Sequence, residues 1–91
     1  MRTEIIDAAM AQRLQNKAIH EGDLWIWTIT ENPSDQPGLF VCRPHSTKLG
    51  GAFGFALVGQ TLDEVRRQLP WGLHRQGRDP ADNPVIVEIW F

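Results

Sequence analysis

The sequence predicts an α+β domain in which an N-terminal helix is followed by a β-β-β-α-β core, with a mainly antiparallel four-stranded sheet and a helix packed on one face. Three observations lead to this fold class. The first segment repeats its apolar residues at helical spacing. Four later segments are short and rich in β-branched and aromatic residues. A Thr-x-x-Glu motif marks the start of a second helix before the last of those segments.

The N-terminal helix is predicted over residues 4–18. Its apolar side chains recur every four positions and form a narrow stripe: Ile6, Met10 and Leu14. Thr3 is a candidate N-cap, because a threonine side chain can accept a hydrogen bond from an unpaired N–H of the first turn. We expect residues 1–22, the helix and its connection, to lie on the body of the domain or on a second subunit.

Four segments are predicted to be strands: residues 23–31, 39–43, 52–58 and 85–91. The first strand, DLWIWTITE, is apolar on both faces, and the last is apolar as far as residue 91. Polar and turn-forming residues connect them, including a loop at 77–84. Because one helix cannot cover both faces of such strands, we expect a partner chain to cover the second face.

The second helix is predicted from the stretch VGQTLDEVRRQLPW. Thr61 and Glu64 form a capping box, in which each side chain accepts a hydrogen bond from a free backbone N–H near the other residue. Pro70 disfavours helical geometry at Leu69 and has no N–H, so the helix is expected to end there.

Length and composition favour a single folded domain over residues 1–91, made of the N-terminal segment 1–22 and a core at 23–91. The chain has 91 residues, 42% of them hydrophobic and 22% charged. Such a short chain has a thin margin of stability, and oligomerisation is a common remedy. We therefore expect a homodimer.

Net charge and the absence of targeting signals argue against a nucleic-acid-binding, secreted or membrane protein. A net charge of −2 argues against a general affinity for nucleic-acid phosphates. The N-terminus carries acids and has no continuous apolar core, so we expect no signal peptide, and no apolar run is long enough for a membrane span. We expect a cytoplasmic protein without membrane contact.

A cluster of cationic and aromatic residues follows the capping box and is the first candidate binding surface. Its members are Arg66, Arg67, Trp71, His74, Arg75 and Arg78. Arginine beside an aromatic ring can bind phosphates or stack on bases, and it can equally bind an acidic protein. The alternative is a solvated helix face with structural roles only. The second candidate surface is the tryptophan-rich sheet with Trp25, Trp27 and Trp90.

The single cysteine gives little support for chemistry. Cys42 and His45 have the C-x-x-H spacing of some metal sites, but a structural zinc site needs a second pair of ligands, which the sequence lacks. A cysteine in the middle of an apolar strand is typically a small buried hydrophobe. We expect no catalytic residue, no metal and no cofactor, with an enzyme acting through Cys42 and His45 as an alternative hypothesis.

From about residue 23 onward the chain resembles the HicB-like antitoxin fold. The likeness lies in the order of three strands, a helix and a last strand, and in the junction GQTLDEV at 59–65, where Gly59, Thr61 and Glu64 match the family's G-x-T-x-x-E-A pattern. The 91 residues do not include the family's usual DNA-binding part. The resemblance implies a regulator that binds a protein toxin or nucleic acid. The leading hypothesis from the residues themselves is a non-enzymatic binding or interaction module that forms a homodimer.

Overall fold

A computed structural model describes residues 4–33, 36–76 and 86–91 of the chain. The candidate cap Thr3, the predicted loop at 77–84, the candidate binding residue Arg78 and the first residue of the last predicted strand lie outside these ranges. Within them the chain forms two α-helices and a mixed β-sheet, so the predicted α+β class is confirmed.

The elements in chain order are β1 (Glu4–Ile5), α1 (Ala8–His20), β2 (Trp25–Glu31), β3 (Phe40–Ser46), β4 (Gly51–Ala52), β5 (Phe55–Gly59), α2 (Leu62–Gln68), β6 (Arg75–Gln76) and β7 (Ile86–Trp90).

The sheet has the strand order β1-β5-β3-β2-β7-β6, and β4 pairs with β3 beside this path. The four predicted strands correspond to β2, β3, β5 and β7, whose mutual pairings are antiparallel. The prediction omitted three strands of two residues each, β1, β4 and β6. Two residues carry no readable alternation of polar and apolar side chains. Strand β1 makes the sheet mixed rather than antiparallel, because it pairs with β5 in parallel.

The first helix begins later than the predicted residue 4. Asp7 has extended backbone geometry, and its Oδ1 accepts a hydrogen bond from the Met10 N–H at 2.8 Å, so it is the N-cap of α1. The residues before it belong to the sheet: the N–H groups of Glu4 and Ile6 donate to the carbonyls of Gly54 and Ala56. The predicted stripe is only partly right: Ile6 precedes the helix and Met10 is exposed, while the buried residues of α1 are Ala11, Gln15 and Ala18. The cap at Asp7 sets the start of the helix.

The hydrophobic core lies between one face of the sheet and both helices. Directly opposed residues share a face, and Trp27 lies opposite Trp90 while Ile29 lies opposite Cys42. Buried side chains of both helices join this face, namely Ala11 and Ala18 of α1 and Val65 of α2. Three of the four tryptophans, Trp25, Trp27 and Trp90, therefore face the helices of their own chain. The described structure places both helices on this one face, so the expectation that a partner chain covers the second face stays a prediction.

Helix α2 follows the predicted signals at both ends. The Thr61 Oγ1 accepts from the Glu64 N–H at 3.2 Å, and Glu64 Oε2 accepts at 2.7 Å from the N–H of Gln60, one residue before the cap. Leu69, ahead of Pro70, leaves the helical region with ψ 146°. Local sequence thus fixes both ends of this helix.

Gly59 allows α2 to turn back closely over the end of β5. A Cβ at this position would lie 2.9 Å from Glu64 Cβ and 3.0 Å from Val65 Cγ2. We expect Gly59→Ala to lower the free energy of unfolding by about 1–3 kcal/mol, because helix and strand would have to separate. Urea unfolding followed by circular dichroism measures this loss. Gly51→Ala, where an added Cβ would meet no atom within 4 Å, is the matched control, and an equal loss in both variants would contradict the close approach.

Candidate functional site

Arg66, the first arginine after the capping box, binds a buried carboxylate. Its Nε donates to Glu88 Oε1 at 2.9 Å, and its Nη2 bonds Glu88 Oε2. Two further groups reach the same carboxylate: Arg75 Nη1 at 3.3 Å and the Trp90 indole Nε1 at 3.1 Å. Glu88, on β7, is buried, so this cluster ties α2 and β6 to the last strand.

The charges of this cluster satisfy one another. The Arg66 guanidinium holds the pKa of the Glu88 carboxyl below its ordinary value, with the Trp90 and Arg75 hydrogen bonds adding to the effect. Glu88 in turn raises the pKa of Arg66. Arg66 Nη1 also lies 3.7 Å from Asp63 Oδ1. Two of the candidate binding arginines, Arg66 and Arg75, are therefore bound within the fold.

The other described members of the arginine and tryptophan segment face solvent. Arg67 and His74 are exposed, and the Trp71 side chain is 90% exposed. The backbone of Trp71 is held in place, since its N–H donates to Gln12 Oε1 of α1 at 2.6 Å. In the described ranges, the side chains that donate to Glu88 are those of Arg66, Arg75 and Trp90, and the three solvent-facing residues are not among them.

The tryptophans of β2 are core residues rather than surface residues. Trp27 is fully buried, and its indole Nε1 donates to Gln15 Oε1 of α1 at 2.8 Å. Trp25 is 8% exposed, and its Nε1 donates to Asp23 Oδ2 at 2.9 Å. Trp27 has no accessible surface with which to contact a partner. Trp25 contributes only a small exposed part, and it lines the pocket described next.

Asp23 joins the α1–β2 connection to the turn after β3. Its Oδ2 accepts from the Ser46 hydroxyl at 2.6 Å as well as from Trp25, and its Oδ1 accepts from the Lys48 N–H at 3.1 Å. These donors, led by Ser46, hold the pKa of Asp23 below its ordinary value. Ser46 Oγ also accepts from the Leu49 N–H at 2.9 Å. The carboxylate is therefore fixed in position and ionised at neutral pH.

A pocket of about 230 Å³ opens beside Asp23. Its apolar wall combines Leu14 of α1 and Leu49 of the β3–β4 turn with three aromatic rings, those of Trp25, Phe53 and Phe55. The rings touch one another: the Trp25 and Phe53 centroids are 4.4 Å apart, and Phe53 stacks on Phe55 at 5.3 Å. The predicted strand 52–58 is interrupted at Phe53 and Gly54, between β4 and β5, and this break places Phe53 beside Phe55.

The rim of the pocket is charged. Lys17 and Glu21 of the α1 end lie on it with Asp23. Lys17 Nζ and Glu21 Oε1 are 4.0 Å apart, and both side chains are largely exposed. The site thus combines aromatic surface with carboxylates. Analysis of the sequence missed it, although the D-x-W spacing of Asp23 and Trp25 was a usable signal.

Cys42 and His45 do not form a reactive pair. Residues three apart on a strand point to opposite faces, and Cys42 lies opposite Leu57 on the core face while His45 lies opposite Ile26 on the other. Cys42 is fully buried, and burial raises the pKa of its thiol far above the ordinary value. The alternative of an enzyme acting through this pair therefore has no assembled site.

The burial of Cys42 predicts that the native protein resists thiol reagents. We expect its reaction with a disulfide reagent such as DTNB to follow the fraction of unfolded chain, because only unfolding exposes the sulfur. Absorbance measured with and without urea reads the rate. Fast labelling of the folded protein would contradict the position of Cys42 in the core.

The described residues thus define a small α+β domain with an aromatic pocket and a separate buried ion cluster. Among these residues, no group of three or more His, Cys, Asp or Glu side chains could hold a metal ion, and no helix is long and apolar enough to cross a membrane. No protein-family model, curated protein or solved structure matches the chain. The HicB-like resemblance, and the regulator function that it implies, stay predictions.

Proposed function

We propose that this protein is a non-enzymatic binding module that holds a group the size of one side chain in the pocket of Trp25, Phe53 and Phe55. The observation that supports the proposal is the pairing of these three rings with a fixed carboxylate at one opening. Apolar walls with few, well-placed polar groups are typical of ligand sites. The rings provide contact area, and Asp23 provides orientation.

The size of the pocket limits what it can hold. Its volume of about 230 Å³ lies below the roughly 300–1,000 Å³ typical of sites for whole cofactors or drug-sized molecules. A single side chain of a partner protein or a small free metabolite fits that volume. Binding of such a group needs no chemistry from the protein, in keeping with a binding module.

The test is a fragment titration followed by two-dimensional NMR of ¹⁵N-labelled protein. Small aromatic, aliphatic and amine-bearing fragments are expected to shift the Trp25 indole N–H signal, while the buried Trp27 signal stays in place. Phe53→Leu should weaken these shifts, since it removes one ring while keeping an apolar side chain. Phe91→Leu makes the same change at an exposed position that does not line the pocket. If no fragment moves the Trp25 signal at millimolar concentration, the proposal fails.

The homodimer remains part of the proposal and has its own test. Exposed apolar side chains support it, among them Ile5 and Phe91, which are 56% and 42% exposed. Small domains commonly gain stability by association. Sedimentation equilibrium at tens of micromolar should give the mass of two chains. A single-chain mass across the concentration series would remove the dimer and leave the pocket proposal intact.

A further inference from the structure

We propose that the group held in the aromatic pocket is an organic cation: an alkylammonium group, carried by a free small molecule or by a lysine-type side chain of a partner. The inference rests on the proposed function and gives it a ligand class.

The aromatic wall favours a cation over other groups. The faces of indole and phenyl rings carry negative partial charge and attract a cation within about 6 Å of the ring centroid. Trp25 lies 4.4 Å from Phe53 and 6.1 Å from Phe55, so one bound group can reach more than one ring. Trp25 belongs to the core cluster, and Phe53 and Phe55 pack against it, so the three rings that line the pocket are held in place.

The carboxylates favour the same sign of charge. Within the described part of the chain, Asp23 Oδ1 accepts one hydrogen bond, from the Lys48 N–H, which leaves capacity for another donor. Glu21 adds a second carboxylate on the rim. An anionic ligand would face two carboxylates and the negative faces of the rings.

The chain already places one ammonium group at this rim. Lys17 Nζ lies 4.0 Å from Glu21 Oε1, with both side chains more than half exposed, and such a surface pair is weak. Lys48 Nζ donates to the Glu21 backbone carbonyl at 3.4 Å, and its charge also acts on Asp23. A ligand ammonium can therefore take the place of Lys17 at Glu21 with little loss of internal contacts.

The experiment compares choline with its neutral isostere 3,3-dimethylbutan-1-ol, in which carbon replaces the ammonium nitrogen. Both are titrated into the ¹⁵N-labelled full chain, and the Trp25 indole signal is followed. We expect choline to bind about tenfold more tightly. Equal affinities would overturn the cation inference and leave the proposed function standing. Failure of both compounds and of the wider fragment set would remove the proposed function itself.

Variants at the exposed rim test the electrostatics without disturbing the core. Lys17→Gln should raise the choline affinity, because it removes the competing ammonium, and Glu21→Gln should lower it. Neither change should alter binding of the neutral alcohol. Glu31→Gln, an exposed change at the end of β2 outside the pocket lining, is the control. If neither rim variant changed the affinity for choline relative to the Glu31→Gln control, the inference would be overturned.

A third comparison distinguishes a cation carried by a partner protein from a free small molecule. Short peptides with lysine, trimethyllysine or norleucine at one position are titrated in the same way. Tighter binding of the lysine-type peptides than of choline identifies a protein partner, and binding of choline alone identifies a free small cation. Preferential binding of norleucine would show that the charge is irrelevant and would overturn the inference.

Discussion

Replacing Arg66 with methionine should lower the free energy of unfolding by about 3 kcal/mol. The substitution leaves the Glu88 carboxylate, whose side chain is 7% exposed, without its two-bond partner. Removing one member of a buried ion pair typically costs roughly 3–5 kcal/mol, because the remaining charge is uncompensated. Arg75 and Trp90 stay bonded to Glu88, which places the effect at the lower end. Urea unfolding at neutral pH measures it.

Arg67→Met is the matched control, since it makes the same change one residue further along α2 on an exposed side chain. A surface substitution of this kind should change the stability by less than about 0.5 kcal/mol. Equal losses of stability at the two positions would mean that the cost comes from replacing any arginine of α2. The Glu88 cluster would then not have the stabilising role assigned to it.

Acid should erase much of the difference between wild type and Arg66→Met. In the wild type the folded-state pKa of Glu88 lies below its ordinary value, so the unfolded chain takes up the proton first as the pH falls. The stabilisation is therefore complete above the ordinary carboxyl range and is lost as the pH falls through the folded-state pKa. The variant has lost this contribution already. The urea midpoints of wild type and Arg66→Met should differ at neutral pH and lie closer together at roughly pH 3.5. A difference that stays constant between the two pH values would contradict this assignment.

Replacing Trp27 with alanine should remove most of the stability of the domain. Its side chain is fully buried between β2 and α1, and truncation of a large buried aromatic typically costs about 3–5 kcal/mol. The change also leaves Gln15 Oε1 without its donor. Domains have roughly 5–15 kcal/mol in total, and short chains lie toward the bottom of that range. Thermal unfolding by circular dichroism should show a large fall in Tm or no cooperative transition.

Trp71→Ala provides the comparison, because this indole is 90% exposed and the hydrogen bond that links the residue to α1 comes from its backbone N–H. We expect it to unfold within about 0.5 kcal/mol of the wild type. The two indoles also differ in fluorescence: Trp71 should account for the emission that aqueous quenchers reach. Similar losses of stability in the two variants would refute the division between core and surface tryptophans.

The parts of the fold that depend on neighbours in sequence could be predicted. Thr61, Glu64 and Pro70 specify the ends of α2 within ten residues of chain, and the β-branched and aromatic runs specify β2 and β7. The start of α1 was placed too early because the competing use of Glu4–Ile5 as a strand depends on β5, some fifty residues away. Pairings at that distance leave no trace in local periodicity.

The candidate sites depend on distant residues even more strongly. Arg66 looks like a free surface cation from its own helix, and only the approach of Glu88, 22 residues later, shows its partner. The single acid in the apolar stretch IVEIW was the available signal for a buried ion pair. Likewise, Phe53 and Phe55 are close in sequence, but Trp25 and the residues of α1 join them only in three dimensions.

The parallel pairing of β1 with β5 joins the start of α1 to the wall of the pocket. The N–H groups of Glu4 and Ile6 bond the carbonyls on either side of Phe55, and Leu14 of α1 lines the same pocket. Helix and strand are therefore anchored to each other next to the ligand site. A change that detaches β1 is expected to loosen two walls of the cavity at once, so ligand capture depends on backbone bonds that touch no ligand.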